Sequence, residues 1–219
     1  MCFASRWLYV CLLSVFALPA INCRATVIWN SSVNGPLSTS GSTPTPFTLA
    51  SGTNSIISTV GGGSNQNWVE VTIPTGLQLS QLVLASYQST DAQGFTGVQA
   101  GSTFVGSTNS ASSYLGYGHF GTGATNGTLP ATNLVGADIL PIMGNTADAP
   151  GSQGFTPPLA SGNYVLLIQQ LGASTNYQFD FNVTSTPEPA GMLLLSAAVM
   201  GLLMRRRRRL GAALVSLPR

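Results

Sequence analysis

The side chains that could catalyse a reaction are few in this sequence. His119 is the single histidine, and the carboxylates between the two ends of the chain are Glu70, Asp91, Asp138, Asp148 and Asp180. A glycoside hydrolase needs two carboxylates about 5–10 Å apart. Outward strand positions would allow Glu70 and Asp180 to meet across one sheet face. A Ser-His-Asp triad has less support, because no G-x-S-x-G pattern links a serine to His119.

Cofactor and metal motifs are weak as well. The string "GYGHFG" matches G-x-G-x-x-G, but a dinucleotide site needs a helix after the glycines, and "GTGATNGTLP" is no helix. A zinc site needs about three protein ligands. The three cysteines, Cys2, Cys11 and Cys23, all lie in the first 25 residues, which are predicted below to be an export signal that is removed, so they do not favour a zinc site in the body. Calcium binding by Asp138 or Asp148 with loop carbonyls stays open. We predict no catalytic residue, no cofactor and no metal site, and hence no enzyme; a secreted hydrolase is the less favoured alternative.

Aromatic rings near predicted loops could bind sugar, because a sugar ring stacks on an exposed aromatic face while amides bind its hydroxyl groups. The candidates are Trp29, Trp68, Tyr114 and Tyr117, with Phe120 beside them. The competing interpretation, which we favour for the two tryptophans, makes them core residues next to strands. A carbohydrate-binding module is therefore an alternative function. It predicts exposed aromatic rings clustered on one sheet face or loop rim.

The distribution of charge excludes nucleic acid as a partner. Charged residues make up 6% of the chain, and there is no lysine. The arginines all lie near the two ends, at Arg6, Arg24, Arg205, Arg206, Arg207, Arg208, Arg209 and Arg219. A weakly acidic body without bases lacks the positive surface that binds phosphates.

The body of the chain predicts an all-β fold. Short β-type runs alternate with clusters of Gly, Pro, Asn and Ser, as in "TVIWN", "SIISTV", "WVEVTI" and "LQLSQLVLASY". In "NYQFDFNVT", apolar Tyr177, Phe179, Phe181 and Val183 alternate with polar residues, which predicts a strand with one buried face. The run "NYVLLIQQL" is apolar on both faces, which predicts a central strand. Together they favour an antiparallel β-sandwich or jelly roll.

Other segments predict weaker strands and loops. "GFTGVQ", "STFVG" and "ADILPIM" are weak strand candidates, and "LGASTN" is predicted to be a hairpin loop. Residues 38–46 and 106–136 are rich in small polar residues and are predicted to be loops, the second with one short strand in "SYLGYGHF".

Residues 1–25 have the pattern of an export signal. Arg6 precedes the apolar run "WLYVCLLSVFALPAI", and "CRA" places small residues at the cleavage positions. We predict an N-terminal signal helix that is cut after Ala25.

Near the other end, residues 190–204 form an apolar run that would reach about 22 Å as a helix, short of the roughly 30 Å hydrocarbon layer. The arginines that follow, Arg205, Arg206, Arg207, Arg208 and Arg209, are costly to translocate and stay on the cytoplasmic side. They predict a C-terminal transmembrane helix with the body outside the cell membrane. The prolines before the helix keep that junction extended and accessible.

The order Pro187-Glu188-Pro189, apolar helix and arginine cluster resembles the PEP-CTERM sorting signal of Gram-negative bacteria. The resemblance implies that exosortase, a membrane transpeptidase, recognises the three-residue motif in a membrane-anchored precursor and that the product reaches the cell surface. It also implies a setting of exopolysaccharide and biofilm, with a structural or adhesive role. The predicted organisation is a signal peptide (1–25), a β-sandwich domain (26–185), a sorting and anchor segment (186–209) and a cytoplasmic tail (210–219).

The body itself resembles, more loosely, the pre-peptidase C-terminal type of β-sandwich, an accessory domain of secreted bacterial proteins. The resemblance rests on the order of "GTNSIISTVGGGSNQNWVEVTIPTGLQLSQLVLASY" and "LASGNYVLLIQQLGASTNYQFDFNV". Such domains often carry an Asp pair where this chain has Asn65, Gln66 and Asn67. The exchange of carboxylates for amides argues against a metal site at that position.

Overall fold

The computed structural model describes residues 25–63 and 65–187. The predicted signal helix, the predicted membrane helix and its arginines, and the predicted cytoplasmic tail lie outside these residues. None of the helices in the described ranges is long and apolar enough to cross a membrane.

The described chain is built mainly from strands. In chain order they are β1 (Thr26–Asn30), β2 (Thr45–Thr48), β3 (Gly52–Val60), β4 (Asn65–Ile73), β5 (Leu77–Gln88), β6 (Gln93–Ala100), β7 (Gly116–Gly121), β8 (Gly162–Gln170) and β9 (Thr175–Ser185). Two short helices accompany them, α1 (Ser31–Asn34) and α2 (Leu140–Gly144), with one 3-10 turn (Ala111–Ser113).

The strands form two sheets that pack face to face. One is four-stranded, in the order β1-β3-β9-β5, and the other is five-stranded, in the order β2-β4-β8-β6-β7. Side chains from both sheets share one buried core, so the predicted two-sheet β-sandwich is confirmed. Most neighbours are antiparallel, but β1 with β3 and β2 with β4 run parallel. Each parallel pair has a strand of the other sheet between its members, and that crossover lets the chain return in the same direction.

Strand β9 shows how the sequence pattern forms the core. Tyr177, Phe179, Phe181 and Val183 are all buried, while the residues between them lie on the outer face. The rings of Phe179 and of Phe120 in the opposite sheet lie edge to face with centroids 5.0 Å apart. The predicted one-sided strand is confirmed, and its buried face joins the two sheets.

Strand β8 is the predicted central strand. It lies between β4 and β6, with Leu166 and Ile168 in the core between the sheets. Val165 and Leu167 belong to a smaller cluster on the opposite face of the five-stranded sheet. Both faces of β8 are therefore covered, which explains its continuous apolar run.

Three sequence-based predictions of elements are wrong. "LGASTN" is not a hairpin loop, because β8 already has a partner on each edge and β9 belongs to the other sheet. "ADILPIM" forms α2 instead of a strand, since Asp138 Oδ1 accepts the Leu140 N–H at 3.0 Å and proline suits the first helical turn. "STFVG" lies in a loop, where the Gln99 side chain bonds both the N–H and the C=O of Val105.

The weaker candidates "GFTGVQ" and "SYLGYGHF" are confirmed as β6 and β7, which pair with each other. Strand β2 was not predicted, because Thr45 and Pro46 fall in the stretch predicted to be a loop. Proline lacks an N–H, and β2 tolerates it because the strand lies at the edge of its sheet.

Candidate functional site

A cleft of about 250 Å³ opens at the end of the five-stranded sheet where β6 begins and β7 and β8 end. We call it the β6–β8 cleft. The side chains and backbone that define its wall come from Asp91, Gln93, Phe95, His119, Gln170 and Gly172. His119 was considered for catalysis from the sequence, so its surroundings decide what the cleft could do.

Both the backbone and the ring of His119 are fixed by the loop after β7. The buried Asn126 side chain accepts the His119 N–H at 2.6 Å and donates to its carbonyl at 3.1 Å. His119 Nδ1 lies 2.7 Å from the Thr125 carbonyl oxygen. A carbonyl only accepts, so Nδ1 carries the proton, and Nε2 is the acceptor whenever the ring is neutral. In the described chain, neither ring nitrogen bonds a serine hydroxyl or a carboxylate.

Gln93 is oriented by the same loop. Its Oε1 accepts the Thr125 N–H at 2.9 Å and the Thr125 hydroxyl at 3.0 Å. Both contacts use the carbonyl end of the amide. The Nε2 end is left as a donor at the cleft wall, because an amide carries two N–H groups there.

Asp91 forms the opposite wall. Its carboxylate accepts the Ala173 N–H, and the Tyr87 hydroxyl donates to its carbonyl at 2.9 Å. The described chain contains no lysine or arginine, so neither of these side chains neutralises the carboxylate there. It therefore presents negative charge and acceptor oxygens at the cleft.

The wall between β8 and β9 depends on Gln170 and Gly172. Gln170 is buried, donates to Thr175 Oγ1 at 2.8 Å and accepts the Leu171 N–H at 2.8 Å. A Cβ on Gly172 would overlap the Asp91 carboxylate. Only glycine lets the loop approach Asp91 this closely, so the wall is held in place without a ligand.

The outer face of the five-stranded sheet carries an aromatic cluster. Trp68 and Tyr114 are only 2% and 1% exposed, and Phe104 covers them with ring centroids 4.8 Å and 5.3 Å away. The interpretation of Trp68 as a core residue is confirmed, and the sugar-stacking alternative is contradicted for Trp68 and Tyr114 because these rings are closed off from solvent. The Tyr114 hydroxyl donates to the Thr108 carbonyl at 3.0 Å, and burial raises the pKa of Tyr114 to about 12.

The other two sugar-binding candidates are half-buried and lie far apart in the fold. Trp29 is in β1 of the four-stranded sheet and lies edge-on to Phe47, with centroids 5.7 Å apart. Tyr117 is in β7 and donates its hydroxyl to the Pro150 carbonyl at 2.9 Å. Phe120, named beside them, is fully buried in the core.

Phe95 was missed by the sequence-based prediction. It is half-buried, lines the cleft, and lies with its ring centroid 5.7 Å from that of Tyr117 and 5.9 Å from that of His119. The alternation in "GFTGVQ" places Phe95 on the outer face, opposite buried Thr96 and Val98. That outward position of an aromatic residue was the one feature of the sequence that could have indicated Phe95 as a site residue.

The carboxylate pair proposed for hydrolysis is not formed. Glu70 lies on the outer face of the five-stranded sheet and Asp180 on the outer face of the four-stranded sheet, so the core separates them. Asp180 Oδ1 instead accepts from Ser55 at 2.7 Å and from Gln178 at 2.8 Å. Asp148 accepts from the Asn145 amide at 2.8 Å. Within the described ranges, no three His, Cys, Asp or Glu side chains are grouped to hold a metal ion.

The outer face of the four-stranded sheet is uncharged except for Asp180. We call it the polar face; its accessible polar side chains include Thr53, Thr59, Asn176, Gln178 and Asn182, with Ile57 among them and Ser55 buried beneath. They bond across strands, as in Thr53 Oγ1 to Asn182 Oδ1 at 2.8 Å and Thr59 Oγ1 to Asn176 Oδ1 at 2.6 Å. The result is an ordered array of hydroxyl and amide groups.

The end of β9 joins this sandwich to the predicted sorting segment. Thr186 donates its N–H to the Gly76 carbonyl at 2.9 Å, and Pro187 follows it, exposed. Ala25, at the predicted signal cleavage site, is also exposed. Glu188, Pro189 and Arg205 to Arg209 lie outside the described residues.

A family model described as the PEP-CTERM protein-sorting motif matches residues 185–209. Comparison with curated proteins and with solved structures gave no significant match. The resemblance of the body to the pre-peptidase type of sandwich stays a prediction.

Proposed function

We propose that this PEP-CTERM protein has a structural or adhesive, non-catalytic role in an exopolysaccharide matrix at the cell surface. The motif at residues 185–209 marks an exported surface protein that exosortase processes. The proposal adds the step before release, a precursor held at the inner membrane by its C-terminal helix. It also adds the polymer that the released domain contacts.

The polar face is the observation that carries the matrix role. A polysaccharide without charge offers hydroxyl groups over a long surface, and an array of hydroxyl and amide groups can exchange water for them. The cross-strand bonds hold these groups in fixed positions, so little side-chain entropy is lost on binding. The described chain has no lysine or arginine, which argues against an acidic polymer as the ligand of this face.

The arrangement of the ionisable groups supports a role without catalysis. Acid–base catalysis needs a group within hydrogen-bond reach of a reacting proton and, in hydrolases, a second group that works with it. Glu70 and Asp180 lie on opposite faces, and Asp138 binds two backbone N–H groups with one oxygen. Asp138 therefore stabilises the backbone, and Glu70 and Asp180 cannot act as a pair on one substrate.

Cosedimentation tests the proposal. Released protein from the native host is mixed with exopolysaccharide purified from the same cells, and the bound fraction is measured after centrifugation. We expect binding. We expect Asn176→Asp with Asn182→Asp to reduce the bound fraction, because each exchange replaces an amide that donates N–H groups with a carboxylate that only accepts. Asn109→Asp with Asn133→Asp, which adds the same two charges on exposed loops, is the matched control. Protein that stays entirely in the supernatant contradicts the matrix role.

A carbohydrate-binding module is the second candidate, and one observation favours it. The half-buried ring of Phe95 lies beside polar groups in the β6–β8 cleft, which is the combination that small-ligand sites use.

A further inference from the structure

We infer that the β6–β8 cleft binds a single uncharged sugar ring, with Phe95 as the stacking platform and Gln93, His119 and Asp91 as its hydrogen-bonding groups. The inference rests on the carbohydrate-binding candidate and gives it a site. It differs from the sequence-based prediction, whose candidates Trp68 and Tyr114 are buried.

The platform is already positioned. Phe95 contacts Tyr117 at 5.7 Å and lies edge-on to Tyr114 at 5.8 Å between centroids. These aromatic neighbours fix the ring on the outer face of the sheet, where Phe95 is half-buried and lines the cleft. An apolar face presented in this way can pack against the C–H groups of a sugar ring.

The polar groups around the platform complement sugar hydroxyls. Each hydroxyl donates one hydrogen bond and accepts others. Gln93 Nε2 is a donor, His119 Nε2 is an acceptor in the neutral ring, and the Asp91 carboxylate is an acceptor. The three groups come from the start of β6, from β7 and from the chain before β6, so they surround the cleft from different sides.

The cleft is preorganised by polar contacts within its walls. Thr125 fixes Gln93 and His119 together, while Gln170 and Asp91 fix the loop of residues 171–173. Binding therefore orders few new groups, which lowers its entropic cost. Built walls of this kind distinguish the cleft from an accidental gap between loops.

Size and charge select the ligand class. A volume of about 250 Å³ lies below the roughly 300–1,000 Å³ of sites for drug-sized ligands, so there is room for one ring. The described chain has no lysine or arginine near the Asp91 carboxylate, and that carboxylate repels a sugar acid. The ligand is thus a neutral ring, at the end of a chain or as a side branch.

Solution NMR on the full chain tests the site directly. The ¹⁵N-labelled protein, in a zwitterionic detergent without a sugar headgroup, is titrated with glucose, galactose, mannose, N-acetylglucosamine and glucuronate. We expect at least one neutral sugar to shift the amide signals of residues 91–95, 119 and 171–173, with millimolar affinity. Glucuronate should leave them unchanged.

Matched variants separate the loss of a ligand contact from the loss of the fold. Gln93→Glu keeps the oxygen that accepts from Thr125 but replaces the donor with a charged acceptor, and His119→Ala removes one acceptor. Each should weaken binding at least tenfold, whereas Gln88→Glu, an exposed residue of β5, should not. Signal dispersion like that of the wild type shows that a variant is folded.

Two results would overturn the inference. One is the absence of cleft shifts with every neutral sugar; the other is unchanged affinity in Gln93→Glu and His119→Ala. If cosedimentation with exopolysaccharide persists in either case, the matrix role stands and only the cleft is wrong. If cosedimentation also fails, the proposed function fails with it.

Discussion

Replacing Phe120 by alanine tests the packing of the two sheets. Phe120 lies in β7 of the five-stranded sheet and is 0% exposed. Its ring contacts Phe179, Tyr87 and Tyr177 of the four-stranded sheet, with centroids 5.0, 5.8 and 6.3 Å away. Truncation of a buried phenylalanine lowers the free energy of unfolding by about 3–5 kcal/mol, a range that already includes the loss of its ring contacts. We expect Phe120→Ala to lower the free energy of unfolding by about 4 kcal/mol.

Equilibrium urea unfolding of the released protein, followed by tryptophan fluorescence, measures this loss. The midpoint should fall while the slope of free energy against urea stays constant, because the surface exposed on unfolding hardly changes. Val33→Ala, at a side chain 79% exposed, is the control and should stay within about 0.5 kcal/mol of the wild type. A loss below about 1 kcal/mol for Phe120→Ala would refute the packing of the sheets through this ring.

Three further predictions concern single contacts, each measured by urea unfolding. Asp138→Ala should lower the free energy of unfolding by about 2 kcal/mol, because the two backbone N–H groups lose their acceptor. Asp138→Asn should lower it less, because the asparagine oxygen still accepts from both; equal losses would contradict this. Gly97→Ala should destabilise by about 1–3 kcal/mol, since its Cβ would lie 2.5 Å from the Tyr114 ring; a neutral effect would refute that contact. Burial, partly offset by a hydrogen bond from Asn67, raises the pKa of Tyr177 to about 12. The stability from the neutral phenol is therefore present below pH 10 and lost as the pH rises to 12, by about 3 kcal/mol. Tyr177→Phe should remove this part of the pH dependence, and an unchanged profile would contradict it.

The local pattern was enough to predict most strands. In β9 the apolar residues alternate strictly, because one face of the strand is buried and the other is not. In β4 the residues Val69, Val71 and Ile73 alternate in the same way, while Trp68 is buried on the outer face. In β8 the apolar run is continuous because both faces are covered. Whether a strand residue is buried depends mainly on the face to which it belongs, so the pattern of apolar residues in one sequence is enough to predict these strands.

The partners of the strands could not be predicted in the same way. The loop of residues 171–174 joins two sheets and is not a hairpin, because β4 and β6 occupy the edges of β8. That outcome depends on residues about 75–100 positions away along the chain. Similarly, α2 replaces a strand because Asp138 binds a helical N–H, a local contact that the apolar pattern in "ADILPIM" does not reveal.

The candidate site was predicted only in part. His119 was singled out because it is the single histidine, but Gln93 and Asp91 reach the cleft through strand order and loop contacts. Trp68 was correctly interpreted as a core residue, but the ring that covers it, Phe104, lies in a loop that the sequence assigned to a strand. Residue type indicates candidate chemistry, whereas exposure is decided by segments distant in the chain.

The central claim is that the tail directs this sandwich to the cell surface through exosortase. The most direct test is the intact mass of the protein released from its native host, compared between strains with and without exosortase. The account predicts a released chain that ends near Pro189 only where exosortase is present. A full-length, membrane-retained protein in both strains would contradict it.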